Sequence, residues 1–372
     1  MNEILHNALK DFHIEDFQKS LVNWYEAEKR DLPWRRTNDP YKIWVSEVML
    51  QQTRVDTVIP YYNRFLEKFP TLQDFAEAQE DEILKAWEGL GYYSRVRNLQ
   101  SAVREVAEIY EGRVPENIDE FQALKGVGPY TAGAVMSIAF NKPEPAVDGN
   151  VMRVFSRIFS IEEDIAKPKT RKLFEELVKE VIDPENPSPF NQGIMELGAL
   201  ICTPQAPSCL LCPVREHCKG FHEGKETMLP IKQTKKKIKN KKWIAAIVMT
   251  DTGEFVIRKR PRTGLLASMW EYPNWERDEG DARNLETFRL SLKEELGMDI
   301  QTMEPLTTVK HVFSHVEWEM DAYVVKGLLH HKINSPYLQV QESQLAQYAF
   351  PVPFQKMWEA YKNTLVNSGK GS

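Results

Sequence analysis

The apolar pattern of this chain changes period once, and that change constrains the fold more than any single motif. Up to about residue 230, apolar side chains recur every three or four positions, as in Ile14, Phe17, Leu21 and Trp24. That spacing predicts helices with one buried face. Residues 232–242 (KQTKKKIKNKK) then break the pattern with seven lysines and no sustained apolar stripe. A solvated linker is the expectation, and phosphate contact is compatible with it. Beyond the break the pattern becomes strand-like. WIAAIVMT, the turn DTG and EFVIRKR predict a β-hairpin. TTVKHVFSHVEWEMDAYVV predicts one or two long strands, with one helix near 284–297 between. At 372 residues the chain can bury two cores. The expected organisation is a helical domain over 1–230, a basic linker over 231–243 and a smaller α+β domain over 244–366.

Local signals refine the helical half. Asp39-Pro40 is an N-cap followed by a first helical residue, opening the helix PYKIWVSEVMLQQ. Thr71 and Ser188 are expected to cap two more helices, and residues 170–182 are amphipathic.

Charge is uneven. Residues 1–230 hold 27 Lys and Arg against 37 Asp and Glu, a net of −10, and residues 231–372 hold 21 against 17, a net of +4. Bulk charge therefore does not attract the first half to nucleic acid; any such contact must use a local patch and backbone dipoles. No apolar run is long enough to span a membrane, and the start MNEILHNALKDF lacks the apolar core of a secretion signal. The expectation is a cytoplasmic protein with reduced thiols.

All four cysteines, Cys202, Cys209, Cys212 and Cys218, fall in one window with the spacing C-x6-C-x2-C-x5-C. Clustered thiols in a reducing compartment point to a metal site rather than disulfides. Zinc and an iron–sulfur cubane both take four thiolates, and spacing alone does not separate them.

LKGVGPYTAGAV (124–135) lies between two helix-like segments, IDEFQAL and YTAGAVMSIAF. Glycines at 126 and 128, flanking Val127, let backbone N–H groups approach an anion, and the following helix N-terminus adds a favourable dipole. Tight packing would explain the same glycines. Twenty residues on, VDGNVMR places Asp148 just ahead of another helix, where an acid also serves as an N-cap. Glu47 sits within the apolar run WVSEVMLQQT, beside Trp44, Val45, Val48 and Met49. Burial there would raise its pKa and suit it to donate a proton at neutral pH. The competing reading is a Glu on an exposed helix edge.

EVMLQQT, WEGLGYYSRVRNL, LKGVGPYT, VDGNVMR, FNQGIMELGALIC and the four-cysteine loop occur in this order. Together they resemble the helix–hairpin–helix DNA glycosylases, most closely the MutY-type adenine DNA glycosylases, over essentially the whole chain. The resemblance implies a six-helix barrel with an iron–sulfur subdomain, and a 4Fe–4S cluster on Cys202, Cys209, Cys212 and Cys218. It implies base-excision repair of adenine mispaired with 8-oxoguanine or guanine in double-stranded DNA. In that scheme Glu47 protonates the extruded adenine, and Asp148 stabilises the sugar cation or a glycosyl intermediate. Tyr130 and Asn150 assist. Lyase relatives such as endonuclease III carry a lysine where this chain has Tyr130, so at most weak strand cleavage is implied. Gln52 and Tyr92 match positions that insert into the duplex. Leu50, Thr53, Gly126, Val127 and Gly128 match DNA contacts. Arg30, Trp34, Arg35, Gln192 and Met195 match the adenine pocket, although some relatives carry Glu at the position of Gln192.

The C-terminal half resembles the Nudix fold of the MutT family. Of the Nudix box only 293–298 (KEELGM) survives. Leu290-Ser291 replace its Arg-Glu pair, and Glu276 and Ala282 replace the leading Gly and Glu. No pyrophosphatase activity is expected, and a fold kept without its chemistry suggests recognition. In the MutY-type family the matching loop, here Phe313-Ser314-His315, contacts 8-oxoguanine. The chain is expected to act as a monomer, associated with a bacterial-type nucleoid. An endonuclease III-like lyase for damaged pyrimidines is the alternative; Tyr130 and the second domain argue against it. A non-enzymatic DNA-binding protein is a further alternative, opposed by the pair Glu47 and Asp148.

Overall fold

The computed structural model describes residues 3–233, 239–277, 285–313 and 315–368. Packing divides the chain into two units, Met1–Glu77 with Asn98–Thr234, and Ala78–Arg97 with Lys235–Ser372. The helices run in order α1 (Glu3–Leu9), α2 (Ile14–Glu28), α3 (Pro40–Leu50), α4 (Val55–Lys68), α5 (Leu72–Glu77), α6 (Glu80–Ala86) and α7 (Ser94–Ile109). They continue with α8 (Ile118–Ala123), α9 (Pro129–Phe140), α10 (Gly149–Ile158), α11 (Pro168–Val181), α12 (Pro187–Leu200) and α13 (Lys219–His222). After them come β1 (Lys239–Thr250), β2 (Phe255–Lys259), β3 (Trp270–Glu271), β4 (Asn274–Arg277), α14 (Leu285–Leu296), β5 (Met298–Val312), β6 (Val316–Leu329), β7 (Tyr337–Val340) and α15 (Val352–Ser368). Among the described residues no helix is long and apolar enough to cross a membrane.

The first unit is helical, as its periodicity requires. One core joins Phe17 and Leu21 of α2 to Val154 and Phe155 of α10, Phe174 and Leu177 of α11, and Phe190 and Ile194 of α12. The α2 stripe differs from expectation. Tyr25, four residues after Leu21, is buried, whereas Trp24 is only half-buried. Asp39 caps α3 by accepting from the Tyr41 and Lys42 N–H groups, with Pro40 opening the helix. Thr71 and Asp74 exchange side-chain and backbone bonds at the start of α5, as a reciprocal cap does. Ser188 is not a cap. The helix starts one turn position earlier, with Pro187 at its first residue and Asn186 before it, and the Ser188 hydroxyl instead accepts from Gln192 Nε2 at 3.1 Å.

Helices α8 and α9 form the expected hairpin. Gly126 bridges them at φ +81°, where an added Cβ would meet Asn98 Cβ at 2.8 Å. Within α9, a Cβ on Gly133 would lie 1.9 Å from the Pro145 carbonyl oxygen. That glycine lets the segment leading to Asp148 run directly against α9.

In the second unit, one mixed sheet has the order β3-β2-β1-β6-β5, with β4 also on β1 and β7 on β2. The β1–β2 hairpin is antiparallel, β1 pairs with β6 in parallel, and β5 with β6 antiparallel. Alternate β1 residues feed two cores. Ile244, Ala246 and Val248 pack with Phe288, Leu292 and Leu296 of α14; Ala245 and Ile247 pack in the other core, with Phe354 and Met357 of α15. Burial on both faces explains why β1 reads as a continuous apolar run. This strand begins at Lys239, inside the segment expected to be linker. Residues 78–97 attach to the same unit through specific bonds. The Asp81 carboxylate accepts from Lys259 Nζ at 2.8 and 2.9 Å and from Trp270 Nε1 at 3.0 Å, and Glu88 accepts from the Phe350 N–H at 2.8 Å.

Candidate active site

The first unit assembles two carboxylates from helices far apart in sequence. Helix α3 packs on α9, α9 on α12, and α12 on α10. Glu47, in the last turns of α3, is 5% exposed and stands among Trp44, Val45, Val48 and Met49, all buried. The Tyr130 hydroxyl, from the first turn of α9, donates to Glu47 Oε2 at 2.6 Å. Burial raises the Glu47 pKa from 4.5 to about 7; the Tyr130 bond lowers it, the charge of Asp148 raises it and that of Arg35 lowers it. The exposed-edge reading of Glu47 therefore fails.

Asp148 is the N-cap of α10 and still faces Glu47 electrostatically. Its carboxylate accepts from the Val151 N–H at 2.8 Å and from Asn150 Nδ2 at 2.9 Å. Burial raises its pKa, and those bonds with the nearby Arg153 charge oppose the rise. The two acids thus differ in kind: Glu47 has one hydroxyl donor in an apolar setting, whereas Asp148 has several donors at a helix N-terminus. Tyr130 bonds Glu47 rather than Asp148, and its hydroxyl also lies 3.8 Å from Met195 Sδ.

Of the residues expected at a base pocket, Arg30 and Arg35 belong to a charge cluster that sequence reading missed. Glu196 of α12 is 1% exposed. It accepts from Arg30 Nε at 2.8 Å and Nη2 at 2.7 Å, from the Arg30 N–H at 3.1 Å, and from Arg35 Nη1 at 3.1 Å and Nη2 at 2.9 Å. Burial opposes ionisation, but the two guanidiniums outweigh it and hold the Glu196 pKa at about 2. Arg30 and Arg35 are thus both committed to this carboxylate. Trp34 is buried edge-on against Tyr62, and Gln192 is half-buried on α12. The signal for Glu196 was present in its position inside FNQGIMELGALIC, an acid in an apolar helix like Glu47.

The DNA-facing candidates fall in both units. Helix α3 ends at half-buried Leu50 instead of continuing through Gln52. Gln52 is exposed at φ +58°, a left-handed conformation unusual for a non-glycine residue. The Thr53 N–H bonds the Leu50 carbonyl at 3.2 Å. Val127 is buried between Gly126 and Gly128, and a Cβ on Gly128 would meet nothing within 4 Å. Gly128 is therefore not demanded by internal packing. In the second unit Tyr92 has φ +49° and is 42% exposed, with the Arg95 guanidinium 5.3 Å from its ring.

The four cysteine side chains line one cavity with Arg157, Val154, Leu197, Val214 and Phe221. Arg157 is 1% exposed and donates to Cys202 Sγ at 3.2 Å and to the Thr203, Pro204 and Leu229 carbonyls. A buried cation in a cavity lined by four thiols suits a group that carries negative thiolate charge. Among the described residues no three His, Cys, Asp or Glu side chains converge on a single metal ion. Helix α10 connects the two sites: Arg153 donates to the Asn150 side chain at 3.0 Å and to the Cys202 carbonyl at 2.9 Å.

In the second unit, Phe313 packs edge-on against Trp318 and His311, its N–H bonds the Val316 carbonyl at 2.7 Å, and His315 is exposed. Ser314 lies outside the described residues, as does Ala282. Of the surviving Nudix box, Glu295 bonds Tyr337 Oη and Trp275 Nε1; Glu276, at the place of the box's leading Gly, pairs with Lys241 at 2.6 Å.

Residues 45–180 match the family model described as HhH-GPD superfamily base excision DNA repair protein, and residues 244–360 match the NUDIX domain. The chain thus carries a base-excision DNA repair glycosylase fold followed by a Nudix-like α+β domain. A solved thermostable thymine-DNA glycosylase is 31% identical, with a TM-score of 0.52 over 56% of this chain and 97% of that one. Adenine DNA glycosylase of Buchnera aphidicola (Schizaphis graminum) is 31% identical over 93% of this chain and 99% of that protein. The Arabidopsis thaliana adenine DNA glycosylase is 36% identical over 81% of this chain, which spans 56% of its length. The chain belongs to the adenine DNA glycosylase family.

Proposed function

We propose that this chain hydrolyses the N-glycosidic bond of adenine paired with 8-oxoguanine, and of adenine opposite guanine, in duplex DNA. The observation that supports this most is the buried Glu47 bonded to Tyr130 and facing Asp148. The extruded adenine enters the first unit. Glu47 donates its proton to N7, the C1′–N9 bond breaks with its electron pair passing to the base, and adenine leaves neutral. Asp148, ionised, stabilises the oxocarbenium-like sugar, by charge or by a bond to C1′. Water adds at C1′ and its proton restores Glu47. Asn150 holds Asp148, and Tyr130 holds Glu47. Tyr130 has no amine to form a Schiff base, so strand cleavage is weak or absent.

Gln52, Leu50, Thr53 and the Gly126–Gly128 loop contact the duplex, and Tyr92 stacks in the space left by the extruded base. Aromatic stacking of this kind contributes ~1–3 kcal/mol. Arg30, Trp34, Arg35, Gln192 and Met195 line the base pocket. Phe313, Ser314 and His315 read the 8-oxoguanine edge. A 4Fe–4S cluster would be held by Cys202, Cys209, Cys212 and Cys218, whose side chains line one cavity, and when bound would tie four points of the loop together. The protein acts as a monomer. The test is a single-turnover assay on a duplex with one adenine opposite 8-oxoguanine, with and without alkali. Free adenine, with strand breaks appearing only after alkali, is expected; breaks without alkali would favour a lyase.

A further inference from the structure

Glu196 is a buried carboxylate that no step above uses. Its position in the charge cluster gives it one, conditional on Glu47 being the proton donor. Among the described residues, the charged and titratable groups acting on Glu47 are Tyr130 from α9, Asp148 from the N-cap of α10 and Arg35 from the single 3-10 turn Pro33–Arg35. Arg35 is the only cation in that set, and its side chain is just 11% exposed. A lone guanidinium so poorly hydrated would favour ionised Glu47 and lower the pH at which the acid gives up its proton. Both Arg35 Nη atoms, however, bond Glu196, whose other partner is Arg30. Arg35 Nη1 also bonds the Arg30 carbonyl at 3.1 Å, which fixes where its charge sits. Arg153 is turned away, toward the Asn150 side chain and the Gly198 and Cys202 carbonyls.

We propose that Glu196 is a positioning residue for base release: by neutralising Arg35 and Arg30 it keeps Glu47 in its proton-carrying form. Glu47 holds its proton up to about pH 7 despite Arg35. Two guanidiniums and one carboxylate leave a net charge of +1, and the Glu196 carboxylate bonds both Nη atoms of Arg35, where it offsets that cation directly.

The readout is the infrared band of a protonated carboxyl, assigned to Glu47 by its absence from Glu47→Gln and followed against pH in the full-length protein. In Glu196→Gln the midpoint should fall by about one pH unit, the size expected when one neighbouring charge loses its compensation. Glu196→Asp should restore it. An unchanged or higher midpoint in folded Glu196→Gln overturns the proposal. If circular dichroism shows that Glu196→Gln does not fold, Arg35→Gln decides: removing the cation must raise the midpoint, and no rise overturns the proposal. Adenine release by the wild-type protein is measured in parallel. Failure there sinks the assigned reaction, whereas the titration judges Glu196 independently.

Discussion

The Tyr130 hydroxyl donates to Glu47 Oε2 at 2.6 Å, across 83 residues of sequence. This bond favours the ionised carboxylate, so it opposes the burial that keeps Glu47 protonated. Tyr130→Phe is expected to move the Glu47 midpoint above about 7. In single-turnover assays across pH, the alkaline limb of adenine release should shift upward; a limb that stays in place or moves down would show that the hydroxyl does not act on Glu47.

Base release by the wild-type protein should fall about tenfold per pH unit well above pH 7, and at low pH it should fall again as Asp148, which must stay ionised, takes up a proton. The sign follows from the role: the acid must carry its proton, and Glu47 loses it near pH 7. Rates that rise through this range would exclude Glu47 as the donor.

Glu47→Gln should lose adenine release by about 10²–10⁴-fold, the usual worth of a general acid, while retaining duplex binding. It should also stabilise the fold at pH 8. A carboxyl whose folded pKa exceeds its unfolded value costs stability as pH rises through the unfolded value, and the loss is complete above the folded one. The rise from 4.5 to about 7 corresponds to ~3 kcal/mol. Denaturation at pH 8 and pH 4 checks this, since the gain should vanish at the lower pH.

Asp148 combines a helix cap with a charge, and Asp148→Asn separates the two. Asparagine caps helices about as well as aspartate, so stability should change by less than about 1 kcal/mol. Adenine release should fall at least 100-fold for want of the anion. A folded variant with near-normal turnover would leave Asp148 a cap alone.

Replacing Ser314 and His315 together by alanine should reduce the preference for adenine opposite 8-oxoguanine over adenine opposite guanine. The ratio of single-turnover rates on the two duplexes measures it. An unchanged ratio would remove the reader role from this loop.

Much of this molecule is written locally. Asp39-Pro40 announces α3, the two glycines announce the α8–α9 hairpin, and the apolar run of β1 with the alternation of 307–325 announces the sheet, because each depends on side chains within a few positions of one another. The apolar flanks of Glu47 made burial one of two readings and gave the direction its pKa takes when buried. Partnerships were not legible. Glu196 and Arg30 meet across 166 residues, and Asp81 and Lys259 across 178. Nothing near residues 78–97 marks them as packing with the sheet unit. The sequence alone determined most of the helices and strands and the apolar setting of Glu47. Only the tertiary structure decided which donor each acid meets, because a buried charge takes the partner that packing brings within hydrogen-bond distance, however remote in the chain.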